Sequence, residues 1–195
     1  MSFVHMDYPR EVLEIGANGQ KGYRRIVNNA KELEKYWGGK NGIGNIYFTA
    51  YGYRGTTPPK HHRVDYNTPI IRHFVMDFDC KDFRNKQVDV EFSFMHEQVK
   101  RLHQHFILND IQHYVWFSGG GFHIYVSLSE TLMPSNGFEV TRIKDGGKQM
   151  INVWHKELNI SCNDPTVAFD TAGMIRIPNS YNMRRGCWSI PLNTD

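Results

Sequence analysis

The chain has 195 residues, 40% hydrophobic and 13% aromatic, enough apolar material for one full core and too much for a disordered segment. Its formal net charge is only +3, so bulk charge does not mark a nucleic-acid binder, and an anionic partner would have to be held by a local basic patch. Cys80, Cys162 and Cys187 are odd in number, widely spaced and without a CxxC pair, which argues against a cysteine-built zinc site and fits a reducing compartment. The first residues show no basic-plus-apolar signal pattern and no apolar run reaches the ~20 residues of a membrane span. A soluble intracellular protein with no membrane partner is expected.

Along the chain, Ile26, Ala30, Leu33 and Trp37 recur at helical spacing, with Asn29 and Glu32 placed as a capping box. They predict a helix over about 28–38 that stops at Gly38 and Gly39. The β-branched and aromatic run 45–51 predicts a strand, and 52–69, with Gly55, Pro58, Pro59 and Pro69, reads as a long loop. In that loop Tyr53, Arg54, Lys60, His61, His62 and Arg63 could touch a template strand through charge and stacking, although such loops are more often only solvated. A strand follows over 70–79. From Val88 onward, Phe92, Met95, Val99, Leu102 and Phe106 step by three and four, an amphipathic helix closing near Asn109 whose stripe must pack on a sheet. Residues 114–117 and 122–128 read as two strands joined by a triglycine turn. A second helix over about 146–158 carries Met150, Val153, Trp154 and Leu158, and strands are predicted at 174–178 and 187–190. This order predicts an α+β fold with a mixed sheet and helices on one side, similar to an RNA-recognition fold.

Two places carry chemistry. In a strand, alternate side chains share a face, so Asp77 and Asp79 project together, roughly 7 Å apart at the backbone, while Phe74, Met76 and Phe78 point the other way. Such a pair can hold two divalent cations about 4 Å apart, the spacing that clamps an in-line phosphoryl displacement. The second place is Ser118, Gly119, Gly120 and Gly121, followed by Phe122 and His123. Glycines let backbone amides approach an anion closely, and His123 shares its strand face with Tyr125 and Ser127. By itself the turn reads as a plain hairpin; beside an acidic strand it reads as a phosphate site. His103 and His105 lie in a helical stretch and read as surface histidines. His96 and His103 are two turns apart, roughly 10 Å, too far to chelate one ion together, so zinc is not expected.

The third segment runs from Asn163 and Asp164 through Asp170 to Arg176, Pro178, Ser180, Asn182, Arg184 and Arg185. With it the chain resembles the archaeo-eukaryotic primase superfamily, whose pattern is an acidic pair at a strand end, a Ser-Gly-rich turn leading to a histidine, then an aspartate and Arg-x-Pro-x-Ser/Thr-x-His/Asn-x-Lys/Arg. Asp77 and Asp79 look like the first motif, Ser118 to His123 the second, and Asp164 to Arg184 the third, in family order.

The resemblance implies a two-lobed primase core in one domain over 1–195, with an N-terminal lobe of about 1–69 and an RNA-recognition-like catalytic lobe of about 70–195. It implies that Asp77, Asp79 and a later aspartate bind two Mg²⁺ or Mn²⁺ ions. Asp164 is preferred for the third place; Asp170 is the runner-up, because Thr171, Ala172 and Gly173 after it read as a turn that would use its carboxylate. Ser118, the three glycines and His123 would hold the triphosphate of an incoming nucleotide, with Arg176 adding charge. The turn is one residue shorter than in replicative primases and lacks their Arg or Lys, so the phosphates must find cations elsewhere: Arg72, Lys81, Arg184 and Arg185 are candidates. The run from Tyr47 to Tyr51 is loosely similar to a tyrosine-bearing strand of the family's N-terminal lobe. The activity implied is template-directed nucleotidyl transfer on single-stranded DNA from nucleoside triphosphates, with a helicase or accessory primase subunit as a further candidate partner. The competing readings are a non-catalytic DNA-binding replication module and a metal-dependent nuclease.

Overall fold

The structure, a computed structural model, describes residues 3–57 and 63–192. After a short 3-10 turn the elements are β1 (Arg10–Gly16), β2 (Arg25–Val27), α1 (Ala30–Lys40), β3 (Gly44–Thr49), β4 (Gly52–Tyr53), β5 (Pro69–Phe78), β6 (Lys81–Asp82), β7 (Val88–Asp89), α2 (Phe92–Leu108), β8 (His113–Phe117), β9 (Phe122–Leu132), α3 (Gly137–Glu157), β10 (Met174–Arg176), β11 (Tyr181–Asn182), β12 (Cys187–Trp188) and β13 (Ile190–Pro191). Two sheets dominate, a four-stranded one in the order β10-β3-β1-β2 and a five-stranded one in the order β13-β8-β9-β5-β4. Every ladder between these strands is antiparallel, which corrects the expected mixed sheet. The boundary drawn at residue 69 does not separate the sheets: β4 joins the five-stranded sheet, and β10, from far along the chain, joins the four-stranded one.

The two faces of β5 and β9 have different fates. On one face Phe74 stacks on Trp154 of α3 and Phe122 packs against Phe92 of α2, so both long helices cover that side, as the spacing of Met95, Val99, Leu102 and Phe106 requires; all four are buried. The other face carries Asp77 opposite His123 and Val75 opposite Tyr125, and it looks toward the four-stranded sheet. Buried apolar residues of both sheets form a single cluster, from Val12 and Phe48 to Met76, Ile124 and Ile177.

Several boundaries differ from expectation. Strands β1 and β2 were not expected, since neither has a clean alternation. Asn29 does cap α1, its Oδ1 accepting from the Glu32 N–H at 3.0 Å, and the Glu32 carboxylate accepts from the Asn28 N–H at 2.8 Å. The helix then runs through Gly38 and Gly39 to Lys40, because nothing stands near either glycine to force a turn. Helix α3 begins at Gly137 rather than 146, capped by Asn136. Gly146 and Gly147 resemble a helix start but lie inside it: the Phe169 ring sits 2.2 Å from where a Cβ of Gly147 would be. Val88 belongs to the β6–β7 hairpin, and α2 starts at Phe92. Of the expected 52–69 loop, β4 pairs with β5 and Thr56 bridges Val64.

Candidate active site

Asp77 sits near the end of β5 and Asp79 just beyond it. A third strand-like segment completes the place: the Asp79 N–H donates to Cys162 O, the Asp164 N–H donates to Asp77 O at 2.8 Å, and Phe78 forms an antiparallel bridge with Asn163. Asp164 is thus tied by its backbone to the acidic pair. Asp170 is not. Its carboxylate accepts from the Ala172 N–H and lies 3.7 Å from the Lys144 ammonium, a turn role that its sequence neighbours anticipate.

What holds 161–164 against β5 was invisible in sequence. Gln98 of α2 is fully buried and its Oε1 accepts from the Ser161 and Cys162 N–H groups at 2.6 and 3.0 Å. From α3, His155 Nε2 lies 2.8 Å from Asn163 Oδ1, while Asn163 Nδ2 donates to Asp77 O at 3.0 Å. A buried glutamine in an apolar stripe is the only trace these contacts leave in the sequence.

The cleft next to the acidic pair encloses about 640 Å³ and is lined by Asp77, Asp79, Ser118, Gly120, His123 and Arg176, together with Tyr47, Lys81, Arg184 and Arg185. Of the expected glycine cradle only Gly120 lines the cleft. Gly119, at φ +91°, packs on Asn182 and Cys187, and a Cβ on Gly121 would stand 1.8 Å from Phe78 O. These two glycines let the turn fold down onto the strand end; the Ser118 N–H donates to Gly121 O to close it.

Arg176 reaches across from β10. Its guanidinium donates to Asn45 Oδ1 and Tyr47 Oη, both at 3.1 Å, and lies 5.0 Å from the Tyr47 ring centre. The sequence did not single out Asn45. Of the other expected cations, Lys81, Arg184 and Arg185 line the cleft, whereas Arg72 points away and donates to the Asp7 carboxylate at 2.8 Å. Of the expected template loop, the described residues make internal contacts: Arg54 donates to Pro134 O, Arg63 pairs with Glu11, and Tyr53 is buried with its hydroxyl on Thr171 O. Its Pro58, Pro59, Lys60, His61 and His62 lie outside the described residues. His103 hydrogen-bonds His113 at 2.7 Å and His105 packs on Trp154.

Burial, and then the charges of Asp79 and Asp164, push the Asp77 carboxyl up to about 8. Asp79 is raised as well, by burial first and by Asp164, against the pull of Lys81 and Arg185. His123, with Nε2 3.4 Å from Asp77 Oδ1, is held down at about 4 by burial and Arg176, and so is neutral near pH 7. Among the described residues no cation lies within ion-pair distance of Asp79 or Asp164, and Asp77 meets only the neutral imidazole. Among the described residues no three His, Cys, Asp or Glu side chains come together as a metal site. Carboxylate oxygens are the donor type that hard divalent ions take, the remaining positions being left to water and substrate oxygens. Asp164 already spends Oδ1 on the Thr166 N–H and hydroxyl.

No family description and no curated protein matches this sequence. Among solved structures, the chain is similar to the polymerase domain of Mycobacterium tuberculosis ligase D in complex with DNA, with a TM-score of 0.65 and 10% identity over 99% of this chain and 76% of that one. The chain therefore has the fold of a polymerase domain.

Proposed function

We propose that the chain is a nucleotidyltransferase of the primase-polymerase type, in the archaeo-eukaryotic primase superfamily, extending or starting a primer on a single-stranded DNA template. In this reading the four-stranded sheet serves the N-terminal lobe and the five-stranded sheet, with α2 and α3 behind it, the RNA-recognition-like catalytic lobe. One observation carries it: a single cleft brings Asp77 and Asp79, neither with a cation within ion-pair distance, together with four cations, Lys81, Arg176, Arg184 and Arg185, none of them paired to a carboxylate among the described residues; Asp164 is bonded to the Asp77 backbone beside this cleft but does not line it. A lining that combines carboxylates with several cations matches a metal-bound polyphosphate.

Asp77, Asp79 and Asp164 would hold two Mg²⁺ or Mn²⁺ ions, which when bound neutralise the phosphates and lower the proton affinity of the attacking 3′-hydroxyl. Asp77 must lose its proton for this. Arg176, held by Asn45 and Tyr47, presents a fixed positive charge, and the exposed Lys81, Arg184 and Arg185 can reach the triphosphate. Ser118 and Gly120 offer hydrogen-bond donors at the turn. His123, neutral, can donate to a phosphate oxygen without charge repulsion from Arg176.

The test is incubation with Mn²⁺, labelled nucleotides and single-stranded template. Extension is expected. Cleavage of the template would favour the nuclease reading, and DNA retention without chemistry the non-catalytic binding module.

A further inference from the structure

The polar cleft has a neighbour on the same sheet face. Tyr125 lies two positions beyond His123 on β9, with ring centres 6.4 Å apart, and there a second pocket of about 320 Å³ opens. Ile175 is a wall of both. The second pocket is bounded by Trp116 and Tyr114 of β8, Tyr125, Phe48 and Pro178, and its polar residues are His73 and Ser127.

Beside the pocket the Tyr125 hydroxyl is buried and has no hydrogen-bond partner among the described residues, so the ring, not the oxygen, is what Tyr125 offers to the pocket. His73 packs 5.5 Å from the Tyr125 ring and 6.3 Å from that of Tyr51. Burial and then Arg10 hold its imidazole at about 4, so near pH 7 it is neutral and offers one donor and one acceptor. The walls are aromatic faces and aliphatic edges, with no charge. The volume is at the small end for a ligand pocket: room for one ring system, not for a base pair. A flat, neutral heterocycle with donors and acceptors around its rim satisfies all of these at once.

We propose that this pocket takes a single unpaired nucleobase, belonging to a nucleotide whose sugar and phosphate extend toward Asp77 and His123. Only the direction of the sugar rests on the nucleotidyl-transfer reading; capture of the base does not. A base enclosed here hides its pairing edge, so it is selected by the protein and not by a template. That suits the nucleotide which supplies the first 3′-hydroxyl in unprimed synthesis, and it does not suit the templated one.

The experiment is titration of the whole chain, in EDTA, with adenosine, guanosine, cytidine and thymidine, followed by saturation-transfer NMR and calorimetry. Without metal or phosphate, the outcome is independent of the extension assay. Saturable binding of at least one nucleoside is expected, with ribose 5-phosphate failing to compete. Ser127→Leu, which fills the pocket, should abolish binding, and His73→Phe, which removes a donor and an acceptor and keeps a ring, should weaken it about fivefold. Thermal melts check that both variants fold. Failure of all four nucleosides to bind, unchanged affinity in a folded Ser127→Leu, or competition by ribose 5-phosphate would overturn the assignment.

Discussion

With its carboxyl held up to about 8 by burial and by Asp79 and Asp164, Asp77 carries a proton through most of the neutral range until a cation displaces it. Folding therefore favours its acid form: this contribution is fully present below about pH 4 and is lost as pH rises through 8. His123, lowered to about 4, works in the opposite sense, its contribution present above about 6.5 and lost as pH falls through 4. Replacing Asp77 by Asn removes only the first effect. In metal-free buffer the variant's melting temperature should exceed that of the native chain, by an amount that widens between pH 5 and 8. A quarter of the Asp77 side chain remains exposed, so the gain should be limited to about 1–2 kcal/mol, or roughly 2–8 °C. Nucleotide incorporation should be abolished in Asp77→Asn and in Asp79→Ala; loss of activity with a large fall in melting temperature would instead mark a structural acidic pair. The two later aspartates separate in the same way. Asp164→Asn should abolish metal-dependent incorporation with little change in stability, whereas Asp170→Asn, which loses the Lys144 pair and keeps an oxygen for the Ala172 N–H, should keep activity and cost no more than about 1 kcal/mol. Measured activities in the reverse order would move the third metal ligand to Asp170.

The segment 161–164 and the triglycine turn bring chemistry to the end of β5, and both depend on close backbone approach. Gln98→Leu would strip the Ser161 and Cys162 N–H groups of their acceptor. Two buried donors left unpaired cost about 2–4 kcal/mol, seen as a fall in melting temperature, and the segment leading to Asp164 loses one of its attachments. The Mn²⁺ concentration for half-maximal incorporation should therefore rise in the surviving folded protein; an unchanged metal requirement would limit Gln98 to stability. Gly121→Ala drives a Cβ onto Phe78 O and is expected to cost more than about 3 kcal/mol or to prevent folding. Gly146→Ala makes the opposite prediction. It lies inside α3 with nothing within 4 Å of an added Cβ, and it should stabilise by about 0.5–1 kcal/mol in a denaturant melt.

Across the whole molecule, the chain passes between its two sheets more than once. Strand β10 pairs with β3, registering Arg176 beside Tyr47, and β4 pairs with β5. Arg176 is held by Asn45 and Tyr47 from the first quarter of the chain, so the cleft is completed only when both sheets are formed. The apolar cluster that spans them leaves no dry seam along which they could part. Residues 70–195 expressed alone should therefore show no cooperative thermal transition, whereas the full chain should unfold in one step by calorimetry and by tryptophan fluorescence. A sharp, independent transition in the shorter segment would show that the five-stranded sheet is a separate folding unit.

The acidic pair was legible because strand alternation is a local property: one apolar run ending in Asp77 and Asp79 is enough to place both carboxylates on one face. The β8–β9 hairpin and the stripe of α2 were legible for the same reason, since period and loop length are written in neighbouring residues. Strands β1 and β2 were not, because their burial comes from partners and not from their own alternation. Nor could local spacing show that two of the three glycines serve packing, that Arg72 turns away to Asp7, or that Gln98 holds the segment leading to Asp164. Each of these is decided by a contact between residues tens of positions apart, and such contacts exist only once the sheets have assembled.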